Sequence, residues 1–239
     1  MNKDYLTTII EGRIHNLITD NEAYHLINEY NNKHDTKDDI NHDIMYYKIS
    51  TFLASDNHFK LSLDYLKLIN YTIFHDLRND AGIIRTRNIS KKEECLYYRS
   101  VIYSTFDMIE NNINYDLENE KTRHYKGKST DEKVSLLSSF LSNIWQAHPF
   151  NDGNTRTDMI FIQKYLTKLN IDYNTKVFDN NFIYFRNALV RSNYNTIGFI
   201  PPTFEYLEKF MYHLLTGDRT IMDINETFVP EDAMYIKHR

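Results

Sequence analysis

A short polar segment, WQAHPFNDGNTRT at positions 145–157, gathers residues that could do chemistry. His148 is a candidate general base because imidazole has an unperturbed pKa close to neutrality. Asp152 is a candidate ligand for Mg²⁺, which proteins commonly hold through one or two carboxylates together with substrate phosphates. Gly153 allows the backbone to approach a ligand closely. Each residue taken singly also has an ordinary structural use, so the hypothesis depends on their combination.

The same segment leads into a helix, which makes it a candidate anion site. Pro149 disfavours helical geometry at His148, so the preceding helix must end there. Apolar residues then recur at helical spacing from Thr155 to Leu169. The first N–H groups of a helix and the positive end of its dipole favour an anion. Arg156 lies in this first turn, where a cation is unfavourable unless an anion lies beside it, and this indicates a phosphate ligand.

Three segments resemble the Fic family. HPFNDGNTR (148–156) is similar to the family signature H-x-F-x-(D/E)-G-N-G-R-x-x-R. AGIIRTRNI (81–89) is similar to the A-G-x-x-R segment that leads into a β-hairpin flap, and YFRNALVRSNY (184–194) to the helix on the adenine side of the nucleotide pocket. The resemblance extends from about residue 60 to residue 216. It implies an all-α, mainly helical Fic-type bundle with a small β-hairpin flap.

The resemblance also implies an activity and its residues. Family members typically transfer AMP from ATP onto a Ser, Thr or Tyr hydroxyl of a target protein, and we expect self-modification as well. His148 would be the catalytic base and Asp152 the Mg²⁺ ligand. The phosphates would be bound by Gly153, Asn154, Thr155 and Arg156, and the adenosine by Tyr184, Phe185 and Asn193. The target protein would dock by strand addition on a flap near residues 90–97.

Two departures from the signature leave the transferred group open. The second glycine of the signature is Thr155 here, and the final arginine, which the family uses to grip the γ-phosphate, is Met159. The alternatives are therefore a transferase of UMP, phosphate or phosphocholine with the same fold, or a nucleotide-binding module without turnover. Retention of His148, Asp152 and Asn154 argues against the module without turnover.

A second motif, TTIIEG from Thr7 to Gly12, is similar to the family's inhibitory motif (S/T)-x-x-x-E-(G/N). Thr7 and Glu11 are four residues apart, so a helix places them on the same face. The resemblance implies that Glu11 enters the active site and obstructs the γ-phosphate position. The other interpretation is an exposed glutamate on an amphipathic helix.

Composition and periodicity agree with a helical enzyme. Only 6 Gly and 4 Pro occur, too few for a many-stranded sandwich or barrel. We expect an N-terminal helical extension (1–40) that carries the inhibitory motif, a Fic domain (41–216) and a C-terminal tail (217–239).

The remaining features exclude several classes of partner. The net charge of −5 argues against nucleic-acid binding, and no apolar run approaches the ~20 residues of a membrane span. The single cysteine, Cys95, fits a reducing compartment, and no signal peptide is evident, so we expect a cytoplasmic protein. An oligomer is compatible with the sequence.

Overall fold

The computed structural model describes residues 1–36, 39–56, 58–195, 200–218 and 220–230. Within these ranges the chain is mainly helical, as predicted. The α-helices are α1 (Lys3–Ile14), α2 (Asp20–Lys33), α3 (Ile40–Ala54), α4 (Leu63–Phe74), α5 (Ile109–Lys121), α6 (Thr130–Ala147), α7 (Asn154–Lys168), α8 (Lys176–Asn193) and α9 (Glu205–Thr216). Short 3-10 helices occupy Glu94–Leu96, Phe106–Met108 and Ile224–Thr227. None of the described helices is long and apolar enough to cross a membrane.

The chain divides into two compact units. The first consists of Met1–Lys60 and Lys67–Ile83, and the second of Leu61–Leu66 and Ile84–Arg239. In the first unit, α1, α2 and α3 bury a common apolar cluster formed by Leu6, Ile9, Ile10, Ala23, Ile27 and Tyr47. The first unit therefore contains more of the chain than the predicted extension 1–40, because α3 packs with α1 and α2.

The second unit is built around α6 and α7. Helix α6 begins with a capping box, in which Ser129 and Glu132 bond each other's backbone N–H, and it buries one apolar side. Helix α7 is buried nearly along its whole length, with Ile160, Phe161 and Ile162 fully inaccessible to solvent. A rigid, buried pair of helices is a suitable support for the loop that joins them, residues 148–153.

The expected β-hairpin flap does not form. All residues from 83 to 105 are described, and they contain one antiparallel bridge, in which the Glu93 N–H donates to the Arg99 carbonyl at 3.0 Å. Between these two residues the chain turns through the 3-10 helix Glu94–Leu96. Tyr97 and Tyr98 then have φ of 49° and 65°. Left-handed residues cannot continue an extended ladder, so the segment ends as a compact turn.

Part of the predicted C-terminal tail is packed against this turn and against α8. Asn187 and Arg191 of α8 donate hydrogen bonds to Thr227, at 2.9 and 2.8 Å. The N–H of Val229 donates to the carbonyl of Cys95 at 3.0 Å. Thr227 and Val229 are almost completely buried. Residues 224–229 therefore join α8 to the turn that follows Glu93.

Candidate active site

His148 ends α6 in a left-handed conformation, with φ 45° and ψ 61°. Its N–H donates to the carbonyl of Trp145 at 3.1 Å, and its ring atom Nδ1 lies 3.3 Å from the same oxygen. Since a carbonyl only accepts hydrogen bonds, the neutral ring carries its hydrogen on Nδ1 and its lone pair on Nε2. The turn therefore presents Nε2 as the proton acceptor.

The environment of His148 keeps the imidazole neutral. The residue is 3% exposed, and Nε2 is buried without a hydrogen-bond partner in the described part of the chain. Burial is the largest cause that lowers the pKa of His148 well below 6.5; the positive charges of Lys91, Arg85 and Arg186 lower it further, and the Trp145 carbonyl opposes them. An imidazole of this kind is already unprotonated at neutral pH, as a general base requires.

Buried Arg85 holds the backbone on which His148 stands. Its Nε donates to the His148 carbonyl at 2.8 Å, and its own N–H donates to the Pro149 carbonyl at 2.9 Å. The other guanidinium nitrogens donate to the carbonyls of Arg87, Ser104 and Ala147. Burial lowers the pKa of Arg85. The arginine of the A-G-x-x-R segment is thus used on main-chain carbonyls and positions the end of α6.

The loop after His148 is closed by its own side chains. The Asn154 amide bonds both the N–H and the carbonyl of Phe150, at 2.9 and 2.7 Å. Asp152 Oδ1 accepts from the Gly153 N–H at 2.7 Å, and Gly153 has φ 81°. The indole N–H of Trp145 donates to Thr155 Oγ1 at 3.0 Å. This bond gives Thr155 a structural use at the position where the Fic signature has glycine.

The predicted loop residues converge on one cavity. Its volume is about 520 Å³, within the usual range of ligand sites. The cavity is lined by His148 and by the predicted residues of the loop and first helical turn, Asp152, Gly153, Asn154, Thr155 and Arg156. The first N–H groups of α7 have no acceptor within the helix, so an anion in this cavity can receive them. The site therefore combines a neutral imidazole with a helix end that is suited to receive an anion.

Residues 60–166 match the model of the Fic/DOC family. This part of the chain is a Fic/DOC domain. Among solved structures it is similar to BepC, a VirB-translocated effector protein of Bartonella tribocorum with bound AMPPNP, at 14% identity over 75% of this chain and 88% of that one, with a TM-score of 0.56. It is also similar to the N-terminal FIC domain of Bep8 from Bartonella sp. 1-1C, at 15% identity over 75% and 86%, with a TM-score of 0.57. At these identities the likeness shows the Fic fold alone, and no curated protein matches the chain.

Helix α8 lines the cavity with a face other than the predicted one. The lining residues are Phe182, Ile183, Arg186 and Asn187, a set with the i, i+3 and i+4 spacing of one helix face. The Arg156 guanidinium lies 5.8 Å from the centre of the Phe182 ring. This spacing was a signal in the sequence, but the position of the kink at Asn181 and the packing of α8 were needed to choose the face.

The three residues expected to contact adenosine do not line the cavity. Tyr184 is buried and its hydroxyl donates to Glu226 at 2.6 Å, while Phe185 packs between Phe178 and Phe210. Asn193 donates to the carbonyl and hydroxyl of Ser142. Successive helix residues differ by about 100° in direction, so neighbours of the lining residues face the core.

The expected Mg²⁺ would need carboxylate ligands in the cavity. Within the described residues, no group of three or more His, Cys, Asp or Glu side chains could hold a metal ion. Asp152 is exposed and offers a carboxylate at the mouth of the helix end. A single carboxylate suits Mg²⁺ when phosphates and water supply the other oxygens, so the residues fit a metal that arrives with a nucleotide.

The structure places the predicted inhibitory residues on the exposed side of α1. Thr7 Oγ1 donates to the Lys3 carbonyl at 2.9 Å within the helix, and Glu11 is exposed. Gly12 accepts the N–H of Leu17 at 2.8 Å, where α1 ends. In the described chain no hydrogen bond or ion pair holds the Glu11 carboxylate. Thr7 and Glu11 share a helix face, as their spacing requires.

Proposed function

We propose that this Fic/DOC protein is a protein adenylyltransferase, which moves AMP from Mg²⁺-ATP onto a hydroxyl side chain of a target protein and of itself. The observation that carries the proposal is His148, which lines the same cavity as the first turn of α7. It is a buried neutral imidazole whose Nε2 has no bonded partner in the described chain. A base beside an anion site is the arrangement that hydroxyl attack on a phosphate requires.

The transfer uses few protein groups. Nε2 of His148 accepts the proton of the attacking hydroxyl, whose oxygen forms a bond to the α-phosphorus. The bond between the α-phosphorus and the bridging oxygen breaks, and pyrophosphate leaves with that electron pair. The N–H groups of Asn154 and Thr155, together with Arg156, stabilise the charge on the phosphates, and Gly153 lets the backbone approach them closely. Positioning and charge stabilisation supply most of the catalysis in transfers of this kind.

Asp152 would hold Mg²⁺ against the phosphates of the nucleotide. When bound, the ion neutralises charge on the phosphates. The bond between Asp152 Oδ1 and the Gly153 N–H fixes the carboxylate beside the helix end. This fixed carboxylate supports Asp152 as the proposed protein ligand of a metal that binds together with the phosphates.

The adenosine is best accommodated by the apolar part of the lining. Phe182 and Ile183 are the apolar residues that α8 contributes to the cavity, and Ile183 is 51% exposed. An adenine ring stacks well on such groups. We therefore move the proposed adenosine contacts from Tyr184, Phe185 and Asn193 to Phe182 and Ile183. The AMPPNP bound to BepC supports a nucleotide as the ligand class.

Glu11 is proposed to inhibit the enzyme by occupying the γ-phosphate position. Support comes from the motif at 7–12 and from the exposed, unbonded carboxylate on α1. A carboxylate in a phosphate site both fills space and repels the anion. Thr7 lies one turn before Glu11 on the same face.

The target protein is proposed to dock near residues 90–97. Strand addition needs extended backbone, and Glu93 is extended with φ −100° and ψ 122°. The following 3-10 helix and the left-handed tyrosines are not extended, so docking by this mode is confined to the residues that precede Glu94.

The proposal is tested by the intact mass of the protein after incubation with Mg²⁺ and ATP, UTP or GTP. We expect an AMP adduct from ATP on the wild type, a larger one on Glu11→Gly, and none on His148→Ala. His124→Ala is a matched control, since His124 is an exposed histidine outside the cavity. A UMP or phosphate adduct in place of the AMP adduct would show that the enzyme transfers another group. Thermal stabilisation by nucleotide without any adduct would indicate binding without turnover.

A further inference from the structure

A buried glutamate and an arginine form an ion pair in the wall of the cavity. Glu93 is completely buried, and its Oε2 lies 2.6 Å from a terminal nitrogen of Arg186 on α8. The Tyr103 hydroxyl donates to the other carboxylate oxygen at 3.2 Å. Glu93 and Arg186 both line the cavity. Neither residue belongs to the Fic signature.

A second buried ion pair, between Glu120 and Arg123, is an example of a pair with a structural role only. Glu120 accepts the hydroxyls of Tyr125 and Tyr165 and pairs with Arg123 at 3.0 Å. Arg123 also donates to the Leu136 carbonyl at 2.8 Å. The two pairs are similarly buried: the glutamate side chains are 0–1% exposed and the arginine side chains 28–33%. The Glu120 pair lies outside the cavity, and both oxygens of its carboxylate accept hydrogen bonds.

The Glu93 pair is less complete. In the described part of the chain, the ion pair with Glu93 is the only hydrogen-bonding or ion-pair contact of the Arg186 side chain, and one terminal nitrogen takes part in it. A guanidinium carries five N–H donors in a planar fork, so Arg186 keeps donors for a ligand. The pair also lacks good hydrogen-bond geometry at Glu93 Oε2. A buried pair that is left incomplete inside a cavity is suited to receive a further anion.

We propose that Arg186 binds the distal phosphates of a nucleoside polyphosphate and that Glu93 positions its guanidinium for this contact. The inference rests on the proposed nucleotide function. A phosphate at the first turn of α7 already receives the helix N–H groups and Arg156. Arg186, a second cation on another helix, can bind the further phosphates of a longer ligand. One terminal nitrogen of the guanidinium contacts the Glu93 carboxylate, while its remaining N–H donors contact phosphate oxygens.

Tyr103 connects this pair to the base. Its hydroxyl bonds Glu93, and its ring lies 4.3 Å from the His148 ring, centre to centre. Burial raises the pKa of Glu93, against the opposing effects of Arg186 and Tyr103. A neutral glutamine should therefore be tolerated in this place, which makes the pair testable without loss of the fold.

The test compares ATP with AMP by calorimetry in EDTA, so that the result does not depend on a metal. For wild type, and more strongly for Glu11→Gly, in which the proposed block of the γ-phosphate position is removed, we expect ATP to bind more tightly than AMP. Arg186→Gln should weaken ATP binding about 10–100-fold, the usual effect of losing a charge-assisted contact, and AMP binding by less than about threefold. Arg123→Gln, which breaks the other buried pair, should lower the melting temperature and keep the ratio of the two affinities.

Glu93→Gln separates positioning from charge. It makes the cavity more positive, so charge alone would raise the preference for ATP, whereas loss of positioning should reduce it about 3–10-fold. A rise would overturn the role of Glu93. Equal weakening of ATP and AMP by Arg186→Gln, or no change in either, would overturn the role of Arg186. If the Arg186 effect appears and no adduct forms in the intact-mass experiment, the phosphate site stands and the transferase proposal falls; if wild type binds neither nucleotide, both fall.

Discussion

The loop at 148–156 and the motif at 7–12 are both short patterns of polar residues, but the protein holds them very differently. In the loop, His148 is fixed by Trp145 and Arg85, and Asn154 closes a ring of hydrogen bonds with Phe150. On α1, Thr7 bonds only its own helix and Glu11 is exposed. The loop is preorganised in this structure, whereas no hydrogen bond or ion pair from the described residues holds the carboxylate of Glu11.

This difference separates two kinds of motif. A catalytic group must be in place before the substrate arrives, so its supporting bonds are visible in the free protein. An inhibitory group acts only when it enters the site, so a conformation without it needs no such bonds. Changes in the loop should therefore abolish function, and changes on α1 should modulate it.

The largest effect is expected from His148→Ala. Loss of a general base typically reduces the rate about 10²–10⁴-fold, while the helix end and Arg156 still bind nucleotide. The rate of adduct formation and the Kd for nucleotide, measured on the same sample, check this. Transfer at the wild-type rate would remove His148 from the mechanism and weaken the contrast between the two motifs.

The pH dependence should carry the signature of the same residue. The pKa of His148 is lowered by folding from about 6.5, so the unfolded chain binds more protons below that pH. The contribution of neutral His148 to stability is present above pH 6.5 and is lost as the pH falls. Melting curves from pH 8 to 5 should show a steeper loss for wild type than for His148→Asn. The fall in transfer rate that protonation of His148 causes on the acid side should likewise occur below pH 6.5.

Asp152→Ala should weaken Mg²⁺-dependent ATP binding by about tenfold and reduce transfer accordingly, because phosphates and water are the remaining ligands of the ion. Without Mg²⁺ the variant should bind ATP at least as well as wild type, since a negative charge beside the phosphates is gone. Titrations with and without the metal give both values. Unchanged behaviour with Mg²⁺ would mean that another carboxylate of the cavity holds it.

Glu11→Gly should raise the rate of adduct formation several-fold. Its matched control is Glu29→Gly, which removes another exposed helical glutamate of the first unit and introduces the same helix-weakening residue. The increase should disappear when His148→Ala is added. Equal rates for Glu11→Gly and Glu29→Gly would show that the motif at 7–12 is an ordinary helix face.

The smallest effect is expected from Thr155→Val. Valine keeps the shape of threonine but leaves the buried indole N–H of Trp145 without an acceptor, at a cost of about 1–3 kcal/mol. Thermal melting measures this loss, and nucleotide affinity should change little. No loss of stability would mean that the loop does not depend on this bond.

The sequence predicted the helical fold and the order of the loop residues because both depend on neighbours along the chain. Pro149 set the end of α6, and Gly153 preceded the start of α7 as expected. The face of α8 was missed by one position, since a shift of one residue turns a side chain by about 100°. The pair of Glu93 and Arg186 joins distant segments, and no local pattern announces such a contact.

The prediction of a β-hairpin flap was wrong for a related reason. The resemblance of residues 81–89 to the segment that leads into a flap favoured strands, but the following segment is closed by a 3-10 turn and two left-handed tyrosines. These are packed beside residues 224–229, a part of the chain for which the sequence offered no signal. Tertiary contacts of this kind override weak local preferences.

The left-handed backbone at His148 has a consequence for how this protein can change over generations. A side chain in this conformation is disfavoured by roughly 1–2 kcal/mol, although histidine and asparagine tolerate it better than most. Glycine would relieve that strain and asparagine would accept it, so a substitution that ends catalysis need not harm the fold. Selection for stability alone would therefore drift away from histidine at this position, towards a descendant that keeps its cavity and its ligand but has no turnover. Persistence of histidine there would record selection for chemistry.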